Sequence, residues 1–433
     1  VALGVSAEAL RRRLWPALRS AVTARRVASG AGDGQPGAVK ESTIRLMTRL
    51  AIKHGAVNLS QGFPNEPPPQ EMALAAAAAL LDGASLEGAE SMAKLLEDAV
   101  VNKGTANGPP EEALRAILKR LQTVESTERR DLLSQYSFPF GLPLLRKELQ
   151  AYYARFYPGL AADAEENVTV VLGATEGFAC SLRSVCAPGD RVVFFEPFHE
   201  LYPSQCKLWH LSPQAVTLRE DAFSGEWKFD IAELERALRG ARALLLNTPH
   251  NPTGKVFKQS ELETIANLCV RHDVICVTDE IYEHIVFDGA AHIPIALLPG
   301  MSERTFVVNA ISKTARATGW RVGWVISPAQ YTTALRGVHD QLVLQAPTPL
   351  QFGAAAMLRL SDEFFAEHRK EYSAKRDLLL AALRTAGFKV AATPGGAYYL
   401  FADYSDVKSL HKLSPYEAAI KMTVVIGVAC VPG

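Results

Sequence analysis

Six short, continuously apolar runs constrain the fold of this chain most. They are VTVVLGAT, RVVFFEP, ARALLLNTP, VICVTDEIY, RTFVVNAIS and RVGWVIS, with helix-like stretches such as SELETIANLCVRHD between them. Runs of this length favour strands, and their continuous apolar character indicates a sheet covered on both faces. Strands that alternate with helices predict an α/β fold with a mostly parallel central sheet flanked by helices. Ligands bind such a sheet beyond the carboxyl ends of its strands.

Composition and charge indicate a folded chain whose partners are small molecules. With 433 residues, 48% of them hydrophobic, the chain is too long for one ordinary core, so a large and a smaller domain are expected. Basic and acidic residues both number 46, so no net field attracts nucleic acid or anionic lipid. No apolar run approaches the roughly 18 residues of a membrane span. The six cysteines lack metal or disulfide spacing, which predicts reduced core residues and no metal site.

The changes of pattern along the chain predict its domains. Residues 1–40 form an N-terminal extension, and residues 41–69 begin the small domain. Residues 70–345 form the large domain, which an inserted helical hairpin at 83–134 interrupts. Residues 346–433 complete a smaller α/β domain. We interpret the hairpin as a structural elaboration, with an error in the gene model as the alternative.

The N-terminal extension differs in composition from the rest. Its stretch LRRRLWPALRSAVTARRVASG is rich in Arg, Ala and Ser and contains no acid. This composition is typical of an organellar transit peptide, whereas a basic surface helix is the alternative. The interpretation predicts a mitochondrial or other organellar location, and a cytoplasmic one if the stretch is not a transit peptide.

Three residues near predicted strand ends have the chemistry that pyridoxal phosphate requires. Lys313, in AISKTARATGWRVGW, offers an amine that can bond to an aldehyde. Asp279 ends the apolar strand VICVTDE, where a carboxylate is costly unless it meets a cation such as a protonated pyridine nitrogen. Arg321 enters RVGWVIS, where a phosphate dianion would match its guanidinium. Asp279 alone would be interpreted as a helix N-cap, but the combination predicts a pyridoxal phosphate site.

Other residues around these strands support the same site less specifically. GATEG at Gly173–Gly177 joins a strand to a helix, so its amides face any anion bound there. Pro and Gly on both sides of Asn251 in NTPHNPTGKVF fix an irregular loop, and Tyr282 follows Asp279 by three residues. Both side chains can donate to the phenolate oxygen of the cofactor. Alone, these features would be an ordinary turn, an Asn-Pro turn and a half-buried aromatic.

Together these segments resemble the class I aminotransferases, which have the fold type I architecture and use pyridoxal phosphate. The resemblance covers residues 44–433, and the motifs QGFPNEPPP, QYSFPFG, EPFHELY, NTPHNPTGKVF and TPGGAYYLF are most similar to the kynurenine and glutamine transaminase group. It implies a homodimer that transfers an amino group to a 2-oxo acid. The implied donor is an aromatic, kynurenine- or glutamine-like amino acid.

The resemblance also implies roles around the cofactor ring. Lys313 bonds covalently to the aldehyde and moves the substrate proton, and Asp279 holds the ring nitrogen protonated. Asn251 and Tyr282 bind the ring oxygen. His199 lies where the family usually has an aromatic residue stacked on the ring, and imidazole can stack in its place. The irregular loops lead us to expect cis peptide bonds before Pro197 and Pro252.

Further implied contacts lie at the phosphate and at the substrate. The Ala174 and Thr175 amides and the Arg321 guanidinium bind the phosphate, which Tyr136 reaches from the partner subunit. The Gly62 amide, together with Asn251, binds the substrate carboxylate.

Two departures from the family pattern affect these expectations. Ala310 occupies the position of a phosphate-binding serine, which predicts a weaker grip on the phosphate. The family's carboxylate-binding arginine would follow Gly433, so the small domain is expected to be truncated. Two alternatives to transamination therefore stay open: a cysteine-S-conjugate β-lyase, which uses the same residues, and a cofactor-binding protein with little turnover.

Overall fold

A computed structural model describes residues 42–60, 64, 66–81, 136–221 and 224–433. The predicted extension at 1–40 and the predicted insertion at 83–134 lie outside these residues. Contacts divide the chain into two compact units, one of residues 1–62, 380–390 and 401–433, the other of residues 63–379 and 391–400. The domain boundaries expected from the sequence stay a prediction.

The described strands account for all six apolar runs. In chain order they are β1 (Val57–Asn58), β2 (Val168–Val171), β3 (Arg191–Glu196), β4 (Ser212–Thr217), β5 (Arg219–Asp221), β6 (Glu226–Lys228), β7 (Ala243–Asn247), β8 (Ile275–Asp279), β9 (Thr305–Ala310), β10 (Gly323–Ile326) and β11 (Val428–Ala429). Strand β4, which carries Pro213, was not predicted. Its residues are mostly half-buried or exposed, so it lacks the apolar run that identifies the others.

Helices lie between most of these strands. They are α1 (Thr43–His54), α2 (Gln70–Leu81), α3 (Pro143–Phe156), α4 (Ala174–Val185), α5 (Leu201–Leu208), α6 (Ile231–Leu238), α7 (Gln259–Arg271), α8 (Ile311–Thr314), α9 (Ala329–Leu342), α10 (Thr348–Leu358), α11 (Asp362–Thr385) and α12 (Pro415–Lys421). Short 3-10 turns occur at Ile295–Leu297 and Thr318–Trp320, and a π-helical turn at Met422–Ile426. Within the described residues, no helix combines the length and the apolar character that a membrane crossing needs.

The larger unit is built on a seven-stranded sheet with the order β2-β10-β9-β8-β7-β3-β4. Strands β4, β3, β7, β8 and β9 pair in parallel, which confirms the predicted mostly parallel sheet. Strand β10 pairs antiparallel with β9 and β2. The segment between β9 and β10 holds only α8 and a 3-10 turn. Because it contains no crossover helix, the chain returns to the sheet in the opposite direction.

Both faces of this sheet are covered by apolar side chains. Along β9, Phe306 and Val308 pack into one buried cluster with residues of α4 and α5, whereas Val307 packs into another with residues of α3 and α10. Successive side chains of a strand point to opposite faces. A strand buried on both faces must therefore be continuously apolar, as the sequence indicated.

The smaller unit has its own short sheet and core. Strands β1 and β11 pair in parallel, and Met47 of α1 packs with Ala419 and Ile420 of α12. Helix α1 ends at Gly55, whose φ of 61° lets its N–H donate to the carbonyls of the last turn.

The six cysteines are free thiols, and five of them are buried. Burial raises the pKa of Cys206 and of Cys269 to about 12. These thiols therefore stay protonated at neutral pH, which agrees with the predicted reduced core residues.

Replacing Leu245, which lies in β7 and is 2% exposed, should destabilise the larger unit strongly. Leu245→Ala should lower the free energy of unfolding by about 2–5 kcal/mol, because it removes buried methyl groups and leaves a cavity. Leu378 of α11 is 75% exposed, so Leu378→Ala should change it by less than about 0.5 kcal/mol. Urea unfolding measures both, and equal losses would contradict the assignment of the core.

Candidate active site

The carboxyl ends of three neighbouring strands bring the predicted ring-binding residues together. Asn247 and Asp279, the last residues of β7 and β8, are register partners. Strand β9 continues two residues beyond the Asp279–Val308 pair to Ala310, and α8 with Lys313 follows directly. Parallel strands end at one edge of the sheet, so residues far apart in sequence meet at this edge.

Asp279 is a buried carboxylate that lacks an ion-pair partner among the described residues. Its side chain accepts hydrogen bonds from the Tyr202 hydroxyl at 2.8 Å and from the Ile281 N–H at 3.4 Å. Burial raises the pKa of Asp279 to about 6, although Tyr202 and the positive charge of Lys313 lower it. The Tyr202 ring is itself fixed by edge contact with Phe178 at 5.8 Å. The position is suited to a cation.

Lys313 lies on α8 and is largely withdrawn from water. Burial lowers the pKa of Lys313 to about 8; the Asp279 charge raises it and the Arg321 charge lowers it. A larger fraction of this amine is therefore unprotonated near neutral pH than for an exposed lysine, as a nucleophile requires. The Lys313 Nζ atom lies 5.6 Å from the centre of the Tyr398 ring.

Asn247 ties the Asn251 loop to the end of β8. The Asn247 side-chain amide donates to the Asp279 carbonyl at 3.0 Å, and its Oδ1 atom accepts the Asn251 N–H at 2.6 Å. These two hydrogen bonds fix the backbone of Asn251 relative to Asp279. The peptide bonds before Pro197 and Pro252 are cis, as predicted, and a third cis bond precedes Pro249.

Tyr282 is buried against two other tyrosines. The Tyr282 and Tyr399 hydroxyls lie 2.9 Å apart, and the Tyr282 ring meets the Tyr398 ring edge-on at 5.3 Å. Burial raises the pKa of Tyr282 well above its usual value. The hydroxyl therefore stays protonated and can donate a hydrogen bond to an oxyanion.

The turn between β2 and α4 lies against Arg321. Gly173 has a φ of 79°, which residues with a Cβ atom rarely adopt, and a Cβ atom there would also clash with the Arg321 guanidinium. Arg321 donates to the carbonyls of Leu172 at 3.2 Å and Thr318 at 3.0 Å, and the described residues provide no acidic partner for it. A guanidinium beside the amino end of α4 is suited to an anion.

Ala174 and Thr175, the predicted phosphate ligands, form the first turn of α4. N–H groups in a first helical turn have no carbonyl partner within the helix, so they can donate to an anion. Ala310, at the position of the family's phosphate-binding serine, ends β9, and the nearby Ser312 lies on α8 and is 4% exposed.

His199 precedes α5 on the same stretch as Tyr202, with ring centres 5.9 Å apart. Its Nδ1 atom accepts the Leu201 N–H at 3.1 Å, which leaves the proton of the neutral ring on Nε2. Burial lowers the pKa of His199 to about 4. The imidazole is therefore uncharged at neutral pH and provides a flat apolar face.

The structure does not test the predicted roles of two further residues. Tyr136 is 81% exposed, and its expected contact is with the cofactor of the partner subunit. Gly62 lies outside the described residues.

Three side chains of the site were not selected from the sequence: Tyr202, Asn247 and Tyr399. Asn247 ends an apolar strand just as Asp279 does, which is the signal that could have identified it. Tyr202 lies in the first turn of α5, and its role follows from its contact with Asp279, which no local sequence pattern indicates.

These residues fit pyridoxal phosphate in three respects. Among the described residues, Asp279 is a buried carboxylate without an ion-pair partner, Arg321 is a guanidinium beside the first-turn amides of α4, and Lys313 is an amine of lowered pKa. They match the ring nitrogen, the phosphate and the aldehyde of that cofactor.

Comparisons with known proteins agree with this geometry. Residues 100–433 match the family described as aminotransferase class I and II. The chain belongs to this family. It is similar to kynurenine–oxoglutarate transaminase 3 of Mus musculus, 35% identical over 305 residues, which are 66% of this chain and 67% of that one. It is also similar to kynurenine–oxoglutarate transaminase 1 of Homo sapiens, 32% identical over 375 residues, which are 83% and 77% of the two chains.

Solved structures agree with the family assignment. N-succinyldiaminopimelate aminotransferase from Mycobacterium tuberculosis superimposes with a TM-score of 0.74 and 30% identity, covering 90% of both chains. The aromatic aminotransferase from Pyrococcus horikoshii superimposes with a TM-score of 0.70 and 28% identity, covering 89% of both. This aminotransferase has the fold type I architecture and uses pyridoxal phosphate to transfer an amino group from an amino acid to a 2-oxo acid.

The aminotransferase should lose covalent attachment of its cofactor on replacement of Lys313. Borohydride reduction of wild type should fix pyridoxal phosphate to the chain, and Lys313→Ala should abolish this fixation, because the only amine proposed to bond to the aldehyde is gone. Lys258, whose side chain is 60% exposed, provides the control, and Lys258→Ala should be labelled like wild type. Mass spectrometry of peptides from the reduced protein detects the attached pyridoxal phosphate. Attached pyridoxal phosphate in Lys313→Ala would refute the assignment.

In the cofactor-free protein, the buried charge of Asp279 should lower the free energy of unfolding as the pH rises. Because its folded pKa, about 6, lies above its ordinary value of 3.8, the folded state binds more protons between these values. The contribution of Asp279 to stability is therefore present at low pH and is lost as the pH rises through about 6. Asp279→Asn should gain stability relative to wild type between pH 4.5 and 7.5, by about 3 kcal/mol at most.

Urea unfolding at the two pH values measures this gain. Asp362, whose side chain is 82% exposed, is the control, and Asp362→Asn should show no comparable trend. A difference between Asp279→Asn and wild type that does not change with pH, or that changes in the opposite direction, would contradict the buried charge.

Proposed function

We propose that Lys313, Asp279 and Tyr282 carry the reaction of this aminotransferase. The observation that supports this proposal is that the three residues follow or end β8 and β9 at their carboxyl ends. There the charges of Lys313 and Asp279 act on each other. When the cofactor is bound, Lys313 would bond to its aldehyde and later, as a free amine, would take the α-proton of the substrate and pass it to the cofactor carbon that carried the aldehyde. Asp279 keeps the ring nitrogen protonated.

Further contacts would hold the ring and the phosphate of the cofactor. Tyr282 and Asn251 would donate to the ring oxygen, and neutral His199 would pack against the ring face. The Ala174 and Thr175 amides and the Arg321 guanidinium would bind the phosphate. Gly62 and Asn251 are the proposed ligands of the substrate carboxylate.

When bound, pyridoxal phosphate supplies an electron sink for the pair left behind by the departing α-proton. The residues of the chain determine how well that sink works. The carboxylate of Asp279 is fixed by Tyr202 before the substrate arrives, so little reorganisation is needed when positive charge must be held on the ring. The charge of Lys313 acts directly on both Asp279 and His199, which supports assigning the movement of the proton to Lys313.

The proposed amino donors are aromatic, kynurenine-like amino acids. Tyr398 lies 5.6 Å from Lys313 Nζ, and its ring stacks on the Tyr372 ring with 5.6 Å between centres and 25° between planes. An aromatic wall beside the reacting amine favours flat apolar side chains. The relatives named kynurenine–oxoglutarate transaminase, and the aromatic aminotransferase among the solved structures, support the same class of donor.

The proposal includes a homodimer, in which Tyr136 reaches the cofactor phosphate of the partner subunit. The exposure of Tyr136 in the single chain supports this arrangement. The Arg-rich stretch within residues 9–32 supports an organellar location as a further part of the proposal.

Replacing Tyr398 should test the donor class together with the activity. With 2-oxoglutarate or pyruvate as acceptor, wild type should turn over kynurenine and phenylalanine faster than alanine. Tyr398→Leu should lower kcat/KM for aromatic donors by about 3- to 10-fold, the value of one aromatic pair, and should change alanine turnover less. Tyr398→Phe keeps the ring and is the matched control.

Formation of the 2-oxo acid is the readout, with ammonia measured in parallel on a cysteine conjugate. Ammonia and pyruvate without amino transfer would mark a β-lyase instead. Equal losses for aromatic and small donors in Tyr398→Leu would refute the role of Tyr398 in selecting the donor and leave the transamination proposal intact.

A further inference from the structure

A buried pair, Glu176 and His339, lies beneath the phosphate turn and takes no part in the chemistry proposed above. Glu176 is in the first turn of α4 and is 9% exposed, and His339 of α9 is fully buried. His339 Nδ1 lies 3.0 Å from Glu176 Oε1, and Glu176 Oε2 accepts the Leu172 N–H at 2.9 Å. The Cys180 thiol also donates to Glu176.

The Leu172 peptide joins this pair to the phosphate-binding groups. Its N–H donates to Glu176, whereas its carbonyl accepts from Arg321 at 3.2 Å. Glu176 also directly follows Thr175, one of the proposed phosphate ligands. A shift of the Glu176 carboxylate would therefore move both the turn and the guanidinium that the phosphate requires.

The second nitrogen of His339 extends the connection to another segment. His339 Nε2 lies 2.8 Å from the Pro139 carbonyl. Both ring nitrogens thus face acceptors, a carboxylate and a carbonyl, an arrangement that favours the doubly protonated, positively charged imidazole. The hydrogen bond and the charge of Glu176 raise the pKa of His339 against the effect of burial.

Pro139 belongs to the segment 136–141, which begins with Tyr136. Hydrogen bonds hold both ends of this segment: the Ser137 N–H donates to Gln345 Oε1, and the Phe140 carbonyl accepts the Val170 N–H at 3.0 Å. His339 contacts it between these hydrogen bonds. One imidazole thus connects the phosphate turn of this subunit with the segment proposed to serve the partner's phosphate.

We infer that His339 and Glu176 are positioning residues that hold two phosphate-binding elements in register, the turn at residues 172–175 and the segment carrying Tyr136. This inference rests on the proposed function, because it uses the assigned phosphate ligands. Neither residue is among the proposed ligands of the cofactor. Their effect should therefore appear only for a ligand that carries the phosphate.

The test compares binding of pyridoxal phosphate and of pyridoxal to the cofactor-free chain of 433 residues. Changing His339 to Leu should weaken pyridoxal phosphate binding by roughly tenfold or more, as expected for loss of a hydrogen bond between charged groups. Binding of pyridoxal, which also reacts with Lys313 but has no phosphate, should change by less than about twofold, well within the value of one weak contact. His339→Gln keeps one donor and serves if the leucine variant does not fold.

Two further variants separate hydrogen bonding from packing. In Glu176→Gln, the amide can accept the Leu172 N–H and donate to a neutral His339, which still donates to Pro139, so binding should stay near wild type. Cys180→Ser is the matched control at the same carboxylate and should also bind normally. Equal weakening of pyridoxal phosphate and pyridoxal by His339→Leu, or a loss in Glu176→Gln as large as in His339→Leu, would overturn the inference.

A double-mutant cycle tests the connection to the Tyr136 segment. Tyr136→Phe should weaken pyridoxal phosphate binding in wild type but much less in the His339→Leu background, because the segment is already displaced there. Additive effects would show that His339 does not position Tyr136. Absence of pyridoxal phosphate binding in wild type would instead refute the proposed function.

Discussion

The buried carboxylate of Asp279 is the constraint on which the rest of the site depends. An ionised carboxylate away from water is costly, and the described residues place no cation within ion-pair distance of it. Tyr202 and the Ile281 N–H stabilise it only in part, since its pKa is still raised to about 6. The fold therefore holds an anion that is stabilised best when a ring cation faces it.

The sheet explains how such a residue can be held in place. Asp279 ends β8 in the interior of the sheet, with β7 and β9 on either side, so its backbone cannot move without breaking two ladders. Asn247 adds a side-chain bond to the Asp279 carbonyl. The phosphate turn is fixed separately, by the close approach of Gly173 to Arg321 and by the Glu176–His339 pair. Ring and phosphate sites are thus supported by different parts of one sheet.

The features predictable from the sequence are those set by local pattern. The six apolar runs identified strands buried on both faces, and Lys313, Asp279 and Arg321 were identifiable because each charge interrupts or borders such a strand. Strand β4 has no apolar run and was missed. Tyr202 and His339 could not be assigned either, because their roles depend on contacts with Asp279 and Glu176, 77 and 163 residues away in sequence. Only the packed chain brings these partners together.

Burial shifts the pKa values of Lys313 and Asp279 in opposite directions, and the opposite charges of the two groups couple them. In the cofactor-free chain, burial lowers the pKa of Lys313 to about 8 and raises that of Asp279 to about 6, so between these values both are charged and each stabilises the other. Lys313 must lose its proton before it can attack an aldehyde. That loss removes the positive charge acting on Asp279 and makes a new cation at the ring nitrogen more favourable. Covalent capture at Lys313 and protonation of the ring are therefore linked through one buried carboxylate.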